Sequence, residues 1–182
     1  MKRIVSLLLA LVLVASSAAV FTSCSGKDKV VEGEFYVGEG MMTMLRLLVS
    51  SDLEIVQNIA VHSKLKTDDK GIVTDEKINT YETLDTLFKS VYSADKAEKL
   101  IKSAGYSDSD GKIKLGSSKC RDKGTTYDPE SIEIQVFSKT DTTCEFTVKV
   151  AKTSAKGKTK DVEIDFTAVY ENNTWLLADM YY

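Results

Sequence analysis

Histidine occurs once in this 182-residue chain, at His62, and cysteine three times, at Cys24, Cys120 and Cys144. A closed zinc site takes four Cys or His ligands, and Cys24 belongs to another task described below, so no metal site is expected. A cysteine nucleophile needs a base, and the one histidine, His62, precedes Cys120, the reverse of the cysteine-then-histidine order of one class of cysteine peptidases. Lys119, Arg121 and Lys123 would lower the pKa of Cys120, but a reactive thiol alone does not make a hydrolase. His62 reads as a surface or packed side chain. No Gly-rich phosphate loop and no Ser-centred elbow is present. The run Asp108-Ser109-Asp110-Gly111 has calcium-loop composition, yet that pattern would need an acid at Tyr106 and a glutamate at Ser117. A β-turn accounts for it better. Carboxylates are abundant, but none are marked out as an acid–base pair. The chain therefore reads as non-enzymatic, with no catalytic residue and no cofactor.

A positive excess is also missing. Against 24 Lys and Arg stand 27 Asp and Glu, a net charge of −3. Nucleic-acid binding wants a basic stripe, and weak net acidity also argues against electrostatic docking on anionic lipid. The apolar run of residues 4–14 falls short of the roughly 20 residues that a membrane-spanning helix needs.

What is present begins with that run. Lys2 and Arg3 precede it, small residues follow, and Phe21-Thr22-Ser23-Cys24 closes it, which is the layout of a signal peptide. The last four residues resemble a bacterial lipobox, with Phe21 where leucine is usual. The resemblance implies that residues 1–23 are removed and that Cys24 becomes a diacylated N-terminus. Residues 24–37 would then carry the lipid and tether one domain of residues 38–182. A plain secretory peptide beside a free cysteine is the alternative. Without residues 1–23 the chain keeps 159 residues, with 22 basic against 27 acidic side chains. Two acyl chains suffice for stable anchoring. The expected location is the cell envelope, on the outer face of the cytoplasmic membrane, or on the outer membrane of a Gram-negative cell.

Residues 130–182 alternate in polarity. Ile132, Ile134 and Val136 form one series, and Cys144, Phe146, Val148 and Val150 a second. Val162, Ile164, Phe166, Ala168 and Tyr170 form a third. That period of two predicts strands with one buried face. Residues 175–182 are apolar on both faces apart from Asp179, predicting a strand covered on both sides or placed centrally. The connections Lys139-Thr140-Asp141, Ala155-Lys156-Gly157-Lys158 and Glu171-Asn172-Asn173-Thr174 contain tight-turn residues. Sequential antiparallel pairing follows. The polar side of the third strand is acidic at Asp161, Glu163 and Asp165. Such a face is ordinarily solvated and blocks aggregation; the sharper reading is a recognition surface for a basic partner.

Upstream, Met41, Met44, Leu45 and Leu48, then Leu53, Val56 and Ile59, recur at helical spacing. Ser51-Asp52-Leu53-Glu54 has capping-box spacing and predicts one kinked helix or two short ones. The methionines read as core filler before they read as a soft-metal site. Residues 59–66 alternate like a strand. Residues 83–92 predict a helix built on Leu84, Leu87, Phe88 and Val91. Ser93 is placed to cap the next helix, striped by Ala97, Leu100, Ile101 and Ala104 and ended by Gly105. Residues 112–115 predict a strand. The fold class is α+β: N-terminal and central helices packed on one face of a curved antiparallel sheet that ends in a four-stranded C-terminal meander. Cys120 and Cys144 lie near that sheet and form a candidate disulfide in an exported chain, with two free thiols as the alternative.

The run Tyr81-Glu82-Thr83-Leu84-Asp85-Thr86-Leu87-Phe88-Lys89-Ser90-Val91-Tyr92-Ser93 continues into Ala97-Glu98-Lys99-Leu100-Ile101. Asp110-Gly111-Lys112-Ile113 follows, then a tail with Val169-Tyr170, Trp175 and Tyr181-Tyr182. This order resembles the IseA family of cell-wall DL-endopeptidase inhibitors over residues 45–182. The resemblance implies an exported protein that binds the catalytic domain of a NlpC/P60-type peptidase and blocks its cleft without chemistry of its own. A lipid anchor departs from that pattern and would confine the target to peptidases near the membrane. Cystatin-like and NTF2-like lipoprotein domains share the layout. There the sheet and helices would enclose an apolar pocket, for which Met41, Met44, Phe166, Tyr170 and Trp175 are the candidate lining. A structural or adhesive surface role is a third reading. The expected partners are a membrane, through the N-terminal lipid, and a cell-wall peptidase, with no nucleic acid.

Overall fold

The computed structural model describes residues 29–31, 34–61, 65–117 and 124–181. Strands β1 (Lys29–Val31) and β2 (Glu34–Tyr36) pair as an antiparallel ribbon. Helix α1 (Glu39–Ile55) runs into a π-helical segment, Val56–Val61. Helices α2 (Tyr81–Lys89) and α3 (Ala94–Ser103) follow, then a hairpin of β3 (Tyr106–Ser109) and β4 (Lys112–Leu115). The large sheet contains β5 (Thr126–Tyr127), β6 (Glu133–Lys139), β7 (Thr143–Thr153), β8 (Thr159–Glu171) and β9 (Thr174–Tyr181). Strands β6 to β9 are the predicted meander, paired in chain order, and β5 adds to the same edge of β7 as β6. The chain is thus an α+β fold.

Turn chemistry fixes the hairpins. Asn172 and Asn173 have φ of 51° and 63°, and Asp110 and Gly111 have φ of 54° and 79°. Two consecutive left-handed residues match the twist of the flanking strands, and Asn, Asp and Gly tolerate them. The Asp108 carboxylate accepts from the Gly111 N–H at 2.7 Å, so the acidic loop is a turn, as its composition implied. Thr80 caps α2 by accepting from the Thr83 N–H at 3.1 Å.

The helices cover the sheet face that carries Val136, Phe146, Val148, Ile164, Phe166, Ala168 and Leu177, all buried. Phe146 and Phe166 stand opposite each other in register, their rings stacked at 5.5 Å. Leu45, Leu53, Leu84, Phe88 and Tyr92 fill the space from the helical side.

Two local expectations need correction. Ser51 and Asp52 do not start a helix; α1 passes through them, and both are fully buried. Residues 59–61 are π-helical and not a strand. Ile59 and Ala60 pack into the core and the Ile59 carbonyl accepts from the Tyr106 hydroxyl at 2.7 Å; so short an alternating run does not separate the two periods. Ser93 is the N-cap of α3, as expected, without a side-chain hydrogen bond; its carbonyl accepts from the Ala97 N–H at 2.9 Å. Of the two placements expected for β9, covered on both sides or central, the first holds: Leu176 and Leu177 are buried on opposite faces. The strand ends the sheet, and the α2–α3 connection closes its edge: the Leu177 N–H donates to the Val91 carbonyl at 2.8 Å, and the Ser93 N–H to the Leu177 carbonyl at 2.9 Å. Among the described residues, no helix is long and apolar enough to cross a membrane.

Candidate functional site

The sheet face turned away from the helices is where the acidic residues collect. Because side chains alternate along a strand, Asp161, Glu163 and Asp165 share the face opposite Ile164 and Phe166, and all three are exposed. Register adds two acids from neighbouring strands. Glu133 stands beside Lys149, which stands beside Glu163, while Glu145 stands beside Thr167. The Lys149 ammonium lies 3.6 Å from Glu133 Oε2 and 3.7 Å from Asp161 Oδ2. The Thr147 hydroxyl donates to Asp165 Oδ1 at 2.7 Å. Exposed ion pairs of that length contribute little to stability, so this is a displayed negative surface more than a brace. Phe137, 51% exposed, sits where the β6 register shifts between Val136 and Ser138. The polar phase of each strand already placed Glu133 and Glu145 on this face; joining them to the other three required the pairing register.

The candidate pocket residues divide. Phe166 belongs to the packed interior, 1% exposed and stacked on Phe146. Tyr170 and Trp175 pair across the β8–β9 hairpin with ring centroids 5.5 Å apart, and Tyr170 is 38% exposed. Met41 and Met44 lie half-buried against the core. Cys144 is buried and in no disulfide among the described residues, and burial pushes its thiol up to about 11; the candidate bridge to Cys120 is not described. Cys24, His62 and Cys120 lie outside the described residues. Among the described residues, no three His, Cys, Asp or Glu side chains are placed to hold a metal ion.

One polar cluster was not read from the sequence. The Tyr92 hydroxyl donates to Asp52 Oδ1 at 2.8 Å with both side chains fully buried. Burial pushes the Asp52 carboxyl up to about 7, against the opposing pull of that hydrogen bond and of the Lys96 charge. Lys96 itself reaches Asp179 Oδ1 at 2.8 Å. The Ser51 hydroxyl beside them is buried with no hydrogen-bond partner among the described residues. A signal existed: Asp52 falls in the stripe Leu45, Leu48, Asp52, Ile55, Ile59, at the spacing of a helix face turned inward. Both side chains are enclosed, and their hydrogen bond joins α1 to the α2–α3 connection.

No family model and no curated protein matches this chain. Among solved structures, the solution structure of a protein described as the transfer protein TraH, from the Gram-positive conjugative plasmid pIP501, aligns with it. The alignment covers 80% of this chain and 93% of that one, at 11% identity and a TM-score of 0.39. A likeness that low transfers neither fold detail nor function.

Proposed function

We propose that this chain is an exported, lipid-anchored protein of the cell envelope that works by binding. Its acidic sheet face docks on the basic cleft rim of a NlpC/P60-type cell-wall peptidase and obstructs access. The observation that carries the reading is the exposed set Asp161, Glu163, Asp165, Glu133 and Glu145, spaced by strand register on one face. A rigid sheet presents those charges without the ordering cost that a loop would incur. Two further features support binding over catalysis. The interior is filled by side chains such as Phe146, Phe166, Phe88 and Tyr92, and Asp52, the acid that burial raises to about 7, is enclosed. The lipobox-like Phe21-Thr22-Ser23-Cys24 supports the anchor.

The test is capture of partners from a native envelope fraction on the immobilised protein, with bound proteins identified by mass spectrometry. Recovery of a NlpC/P60-type peptidase that salt releases, and that the protein inhibits in wall digestion, is expected. The Asp161→Lys/Glu163→Lys/Asp165→Lys chain should bind at least about tenfold more weakly, mostly through slower association. No peptidase retained at low salt ends the reading.

A further inference from the structure

The tip of the β7–β8 hairpin has the opposite charge to the face beside it. Residues 146–160 contain Lys149, Lys152, Lys156, Lys158 and Lys160 and no acid, within a chain of net charge −3. Lys152 and Lys160 stand directly opposite each other in register, an arrangement that destabilises a sheet. Lys152 lies 5.3 Å over the Tyr127 ring. Lys156, Lys158 and Lys160 are exposed and make no ion pair among the described residues.

The tip is well braced. The Gly157 N–H donates to the Ser154 carbonyl at 2.8 Å, and the Ser154 N–H to the Lys158 carbonyl at 2.9 Å. The Thr153 and Thr159 hydroxyls bond across the strands at 2.9 Å. It also extends past its neighbours: β9 reaches along β8 only to Asp165 and β6 along β7 only to Lys149, and beyond them β7 is flanked by β5, by Asp128 and Ser131 bonded to Ala151, and by Gly124 close to Ala155. Asp141 and Glu171 are exposed at the other end of the same sheet. Lysines that merely block edge pairing need no like-charged pair directly opposed in register.

We infer that this tip is a docking surface for anionic phospholipid head groups, resting on the reading that Cys24 anchors the chain to a membrane. Five residues lead from Cys24 to Lys29, a span of at most about 17 Å, so a lipid on Cys24 would hold the domain beside the membrane. Net acidity does not decide how the domain meets that surface, because charges more than about 8 Å away are screened at physiological salt. The lysine tip is the end that an anionic surface attracts, roughly fivefold in affinity per lysine brought close.

The test uses the processed chain, purified from membranes and bound to vesicles of phosphatidylcholine alone or of an equal mixture with phosphatidylglycerol. Lysine acylation rates are read by mass spectrometry, with exposed Lys70 and Lys99 as internal references. Lys156 and Lys158 are expected to react at least about fivefold more slowly on the anionic vesicles, with high salt abolishing the difference. The Lys156→Gln/Lys158→Gln chain is expected to lose the protection at Lys152 and Lys160. Flotation with pure phosphatidylcholine reports the anchor separately, and a chain that fails to float overturns the anchor and this inference together. A chain that floats but shows equal acylation on both vesicles overturns lipid docking alone. So does protection by soluble polyphosphate without protection on the anionic vesicles.

Discussion

The Tyr92 hydroxyl holds the Asp52 carboxyl across 2.8 Å, and the backbone on either side of Tyr92 closes the edge of β9 at Leu177. One residue therefore ties α1 to the sheet, with its ring also packed 5.8 Å from that of Phe88. Helix, connection and sheet meet at a buried acid, and that gives the fold a pH dependence with a definite sign.

Burial raises Asp52 to about 7 in the folded protein, whereas an unfolded aspartate titrates near 3.9. Between those values the folded state keeps a proton that the unfolded state has released. Stability is therefore expected to fall as pH rises from about 4 to about 7, by up to about 4 kcal/mol from this group. Asp52→Asn keeps an oxygen that accepts from Tyr92 and removes the titration. Denaturant melts across this range should show the variant gaining on the parent as pH rises, and equal slopes would refute the assignment.

Tyr92→Phe removes the hydroxyl donor and leaves the ring. The cost should be about 1–3 kcal/mol, the usual penalty for stripping a partner from a buried polar group. Because the hydrogen bond favours the charged carboxylate, the loss should be larger above neutral pH than at pH about 5. In the Asp52→Asn background it should shrink and become independent of pH. A loss unaffected by pH in the parent would mean that the hydroxyl acts through packing.

Gly105 ends α3 at φ 83°, and a Cβ there would stand 2.5 Å from the Ser117 carbonyl oxygen. Gly157, at φ 76° in the lysine tip, has open space around the same position. Gly157→Ala should cost about 1–2 kcal/mol, the left-handed penalty alone. Gly105→Ala should cost more, since the backbone must also shift. Equal losses in chemical denaturation would show that the approach to Ser117 is relieved without cost.

The meander was legible because its strands are half-buried, so Phe146 and Glu145, or Ile164 and Glu163, alternate cleanly and Asn172-Asn173 punctuates them. The acidic phase of β8 was legible for the same reason. Asp52 was missed because Ser51-Asp52-Leu53-Glu54 fits a cap locally, and only the long-range contact with Tyr92, 40 residues on, makes burial of the acid tolerable. The two-sided apolarity of β9 fits a strand covered on both faces as well as a central one, and the first holds. Here Leu177 is buried under the helices while its backbone groups are met by Val91 and Ser93, a contact between distant segments that no local pattern encodes. The lysine tip was read only as a turn, since net charge averages it against acids elsewhere in the chain.

The closure of β9 makes a prediction about local stability. An edge strand with open hydrogen-bonding groups frays, and its amides exchange through small openings. Leu177 is fully buried and donates to Val91, and the Ser93 N–H returns a bond to Leu177. Both amides are therefore expected to exchange only through global unfolding, with opening free energies within about 1 kcal/mol of the global value. Tyr92→Phe should lower the two together with the global stability, because the side chain and the clamp belong to one cooperative unit. If native-state hydrogen exchange finds Leu177 and Ser93 opening several kcal/mol below the global limit, the α2–α3 connection rests on β9 without closing it. The Asp52–Tyr92 bond would then hold the helices to one another and not to the sheet.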